Sequence, residues 1–102
     1  MESKFFQVLH ECIFDVLGNV LGESGTRVIA FHIELGHYID DPSELHRNLY
    51  ALLGNGAIVL EKIIVKKLFR RLDIPYEKRG NFDFARYVNE ARELFLKRQK
   101  VV

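Results

Sequence analysis

The chain has 102 residues, 15 basic against 14 acidic side chains, 48% hydrophobic residues, one cysteine and no tryptophan. That length holds one modest core rather than two, and ample hydrophobicity with a net charge of +1 excludes a disordered chain. A lone cysteine excludes an internal disulfide framework or a thiolate zinc cage, no apolar run suits a membrane span, and Met1-Glu2-Ser3-Lys4 does not open a signal peptide, so a soluble, cytoplasmic protein is expected.

Residues 4–21 carry apolar side chains almost all round, with Lys4, Gln7, Glu11, Asp15 and Gly18 making one polar stripe at helical steps. Phe5, Phe6, Leu9, Ile13, Phe14 and Val20 span too much circumference to face one neighbouring helix. A second copy of the chain is the expected cover, which predicts a homodimer. Gly22 and Gly25 are expected to end this helix, and a second is predicted over 26–39 with Val28, Phe31, His32, Leu35 and Ile39 on its apolar face. Asp40-Asp41-Pro42 is a restart signal: Asp41 can cap, Pro42 suits the first helical position, and Glu44 favours the first turn. A third helix over 42–53 follows, then Gly54-Asn55-Gly56, then a fourth over 57–72 that Pro75 stops from beyond its end.

Asn81 or Asp83 can cap a fifth helix over 82–98, with Phe84, Tyr87, Val88, Ala91, Leu94 and Phe95 inward. No segment alternates with a period of two, so the predicted fold is an all-α, single-domain bundle of five helices. Charge is segregated along it. Residues 1–56 hold eight acidic and three basic groups, net −5, and residues 57–102 hold six acidic and twelve basic, net +6. Such opposed patches suit self-association or an acidic partner.

The stretch from Phe31 to Ile74 contains "FHIE" at Phe31–Glu34, the Pro42 restart and "LLGNGAIVLEKIIVKKL" at Leu52–Leu68. In these pieces it resembles the small archaeal family called the nitrosopumilus output domain. The resemblance implies a helical output or interaction module without an established activity, and it carries over no catalytic residue. The fifth helix lies outside it.

No nucleophile elbow, P-loop, dinucleotide fingerprint or zincin motif occurs, so no enzymatic activity and no cofactor are expected. Cys12 sits among apolar neighbours and reads as a packing thiol. Glu34 and His37 have the i, i+3 spacing used in di-iron bundles, but the unit appears once. With Asp40, Asp41 and Glu44 they form an acidic turn that either caps helices or holds calcium or magnesium. Lys62, Lys66 and Arg70 form a basic stripe flanked by Lys67 and Arg71, which is either a solvated face or a surface for an acidic protein or nucleic acid. Glu61 falls at the centre of the fourth helix's apolar face, where a carboxylate needs a donor from another helix. His32, on the second helix's apolar face, is the expected donor. The sequence thus predicts a non-catalytic interaction module, with nucleic-acid binding by the fourth and fifth helices and divalent-metal binding at the acidic turn as the alternatives.

Overall fold

The computed structural model describes residues 2–33, 40–78 and 80–100. The described residues form four helices and no strand: α1 over Glu2–Ile33, α2 over Pro42–Leu53, α3 over Asn55–Arg71 and α4 over Phe84–Lys100. The all-α expectation holds and the count of five does not. The first two predicted helices form one element, interrupted at Gly22, whose φ of 76° and ψ of 176° are not helical. A side chain is strained in that region, so the residue that allows the bend is a glycine.

The bend also changes which side chains point inward. Before it, Phe5, Leu9, Cys12, Ile13, Val16 and Leu17 are buried, at the i, i+3, i+4 spacing that one helix face requires. Beyond it the packed residues are Ile29 and Ala30, whereas Val28, Phe31 and His32, the expected apolar face, are exposed. Apolar spacing shows which side chains share a helix face but not whether another element reaches that face, and among the described residues none covers Val28, Phe31 and His32. Leu35 and Ile39 lie outside the described residues.

The restart at Pro42 follows the chemistry of its residues. Asp41 accepts the backbone N–H of Glu44 at 3.2 Å, and Pro42 opens α2 where an amide hydrogen would have no helical partner. Gly54, at φ 58°, closes α2 by donating its N–H to the Tyr50 carbonyl at 2.7 Å, and α3 starts at the next residue. The far end of α3 is a Schellman turn built on Asp73 at φ 57°. There Ile74 donates to the Phe69 carbonyl at 2.9 Å and Asp73 to the Arg70 carbonyl at 3.1 Å, and Ile74 tucks into the core. Arg98 of α4 donates to the carbonyls of Leu72 and Asp73, fastening the end of α4 to this turn.

α3 is the central element and packs against each of the other three. Leu60, Ile64, Val65, Leu68 and Phe69 meet Leu45 and Leu49 of α2 and Phe84, Tyr87, Val88, Ala91 and Phe95 of α4 in one core. Cys12 is buried in it, and burial pushes its thiol up from the usual range, as befits a packing residue. Two ion pairs tie α1 to α3 along its edge: Arg71 with Glu11 at 2.6 Å and Lys67 with Asp15 at 3.4 Å. Among the described residues no helix is long and apolar enough to cross a membrane.

Candidate functional site

The site is built around residues 74–78 and 80–83, on the connection from α3 to α4. The backbone leaves α3 at the Asp73 turn and returns at Asp83, whose carboxylate accepts the Arg86 backbone N–H at 3.2 Å and starts α4. On the way it lays Tyr76 and Phe82 against Tyr87 of α4. Tyr76 stacks on Tyr87 with ring centres 5.5 Å apart, and Phe82 stacks on Tyr87 at 5.4 Å. Lys66 places its ammonium 6.0 Å over the Tyr76 ring, and Lys62 lies 5.9 Å over Phe82. Cations favour the negative face of an aromatic ring, so the result is a five-member ladder of Lys66, Tyr76, Tyr87, Phe82 and Lys62. Burial, followed by the neighbouring Tyr87, pushes the Tyr76 hydroxyl above its ordinary range.

The basic stripe expected on α3 is therefore split. Lys62, Lys66 and Arg70 are exposed, whereas Lys67 and Arg71 are engaged with the acidic residues of α1. Lys62, Lys66 and Lys78 surround a hollow of about 440 Å³ walled by Tyr76 and Phe82. These three lysines pair with no carboxylate among the described residues.

A second hollow, about 790 Å³, lies on the other side of Gly80–Phe82 and reaches Ser43 and His46 of α2 and Arg86 of α4. Behind it is Glu61, wholly buried, as its place on the apolar face required. Its donor is His46, not His32: the His46 Nδ1 lies 2.8 and 2.9 Å from the two carboxylate oxygens. His32 is exposed near the end of α1, edge-on to Phe31 at 5.8 Å. Burial pushes the Glu61 carboxyl up, against the downward pull of its hydrogen bond from His46. The sequence did contain a signal for His46. It falls at i+4 from Pro42 and i−3 from Leu49, both buried, so it shares the inward side of α2 with them.

The acidic turn divides too. Asp41 is spent as a cap, Glu44 pairs with Arg47 at 2.6 Å, and Asp40 is exposed. Glu34 and His37 lie outside the described residues. Among the described residues no three His, Cys, Asp or Glu side chains are placed to hold a metal ion.

No protein-family model matches the chain, and no significant match was found among curated proteins or solved structures. The reading of function therefore rests on the cleft itself.

Proposed function

We propose that this chain is a helical interaction module of the cytoplasm that acts by binding rather than by catalysis, and that its docking surface is the lysine-lined cleft between α3 and the 74–83 connection. The partner is an acidic segment of another protein. One observation carries the reading. Two basic residues of α3 are spent on α1, while Lys62 and Lys66, together with Lys78, surround a hollow where no carboxylate of the described residues meets them. Like charges around one hollow repel one another, and an anionic ligand relieves that repulsion.

Nucleic acid is the poorer occupant. A single strand is held by stacking bases on open aromatic faces, and here Tyr76 and Phe82 already use theirs on Tyr87 and on the two lysines. Changing Lys62, Lys66 and Lys78 together to glutamine should abolish binding of an oligoglutamate peptide while the helical circular dichroism stays intact. Undiminished binding by the triple variant would reject this surface.

Self-association is the second reading, favoured by one feature of α1. Phe31 is 82% exposed, and Val28 on the same segment is 54% exposed. Large apolar side chains this open are the usual material of an interface, and a second copy of the chain is the proposed cover.

A further inference from the structure

The lysine hollow and the His46 hollow lie on either side of Gly80, Asn81 and Phe82, and Gly80 and Asn81 are exposed, so an extended ligand that crosses them reaches both lobes. In the larger lobe the imidazole is held at one nitrogen only. Its Nδ1 is bonded to the buried Glu61 carboxylate, yet the His46 side chain remains 41% exposed. Such a bond fixes ring orientation and leaves Nε2 as the nitrogen available to the cleft. The charged groups around it come from each element packed there. On α2, Glu44 is taken up by Arg47. On α3, Lys62 follows Glu61 and belongs to the other lobe. From α4 and its cap come Asp83, whose carboxylate accepts the Arg86 N–H, and Arg86, whose guanidinium meets no carboxylate among the described residues.

We infer that the His46 lobe is a carboxylate subsite: an acidic peptide anchored by Lys62, Lys66 and Lys78 places one further carboxylate between the His46 Nε2–H and the Arg86 guanidinium. The inference rests on the cleft being the docking surface for an acidic segment, and it adds the residue that makes docking sensitive to protons. A neutral imidazole that donates its Nδ1 hydrogen to Glu61 presents a lone pair at Nε2, which repels a carboxylate. With a proton on Nε2 the same ring donates to the ligand in a charge-assisted bond. Docking therefore takes up a proton at His46. Glu61 is a positioning residue, since it orients the ring without meeting the ligand.

The test uses the full chain and a fluorescent oligoglutamate peptide at constant ionic strength, between about pH 6 and about pH 8. The glutamates of the peptide and the lysines of the cleft keep their charges over that interval, so a slope in affinity that His46→Gln removes reports the His46–Glu61 pair. One linked proton weakens binding by up to about tenfold for each pH unit, and the unaltered chain should lose about that factor over the interval. His46→Gln keeps a donor to Glu61 and should bind with a change of less than about twofold. A measurement without any variant accompanies it: by nitrogen-15 NMR of the histidines above neutral pH, Nε2 of His46 should gain a proton when peptide is added. Equal slopes in both chains, or an Nε2 that stays unprotonated with peptide bound, would overturn the subsite while the lysine surface stands. No peptide binding at the acidic end, or tighter binding of an oligothymidylate of equal charge, would overturn both.

Discussion

Between His46 and Glu61, removing either partner leaves the other in a different predicament. Glu61→Ala takes the acceptor away and opens space in a packed layer, and it should cost about 2–4 kcal/mol in urea unfolding. Glu61→Gln keeps an oxygen for Nδ1–H and should cost less. Contacting residues couple by about 0.5–3 kcal/mol, so a double-mutant cycle of Glu61→Ala with His46→Ala should be clearly non-additive. The pH dependence has a definite sign. A carboxyl whose folded value is raised favours the native state at acid pH, and that contribution fades as pH climbs from the ordinary 4.5 through the raised value. The stability deficit of Glu61→Gln relative to the parent should therefore shrink as the medium goes from about pH 4 to about pH 7. His46→Ala should lose stability with rising pH more steeply than the parent, because the hydrogen bond that restrained the shift is gone. His32→Ala should change stability by no more than about 0.5 kcal/mol, as exposed positions do. The buried carboxylate was legible in the sequence because helical spacing alone centres it among Ala57, Ile64, Val65 and Leu68. Its partner was not, because which histidine reaches it depends on how two helices dock.

The helices themselves were readable where local chemistry ends them. Asp41-Pro42 and the stop before Pro75 act through capping, a fixed φ and a missing N–H, and none of these needs tertiary information. Glycine is less informative, since it marks both breaks and mere tolerance. Gly22 and Gly18 separate the two cases. Gly22→Ala places a side chain in a region nearly closed to it and should cost about 1–3 kcal/mol in thermal or urea unfolding. Gly18 is helical and a methyl group there meets nothing within 4 Å, so Gly18→Ala should stabilise by about 0.5–1 kcal/mol. Asp73 holds a positive φ in the Schellman turn without glycine's freedom, and Asp73→Gly should raise the melting temperature. The aromatic ladder was beyond the reach of periodicity, because its members come from α3, the connection and α4, and only the turn at Asp73 brings them into line.

At the scale of the whole molecule, segregated charge finds part of its complement inside the chain. Glu11 and Asp15 of the acidic half meet Arg71 and Lys67 of the basic half, and the Arg71 guanidinium holds the Glu11 carboxyl below its ordinary range. Lys62, Lys66 and Lys78 at the cleft take no part in these ion pairs. The broad apolar arc of α1 is likewise mostly used within the chain: Phe5, Leu9 and Ile13 are buried, Phe6 and Phe14 pack at the margin of the core, and Val20 stays open. If Phe31 seats a second copy, sedimentation velocity should show dimers that Phe31→Ser converts to monomers. Monomers alone at high concentration would reject self-association.

The ring ladder gives this molecule an optical property. The sequence contains no tryptophan, so its near-ultraviolet emission belongs to tyrosine, and two of the four tyrosines stack on each other at the cleft wall. A peptide that draws Lys62 and Lys66 off the outer rings changes the electric field across that pair, and Tyr50, its ring 5.9 Å from that of His46, flanks the other lobe. Docking should therefore be visible in unlabelled protein as a change in tyrosine fluorescence and near-ultraviolet dichroism, with no dye attached and no indole signal to subtract.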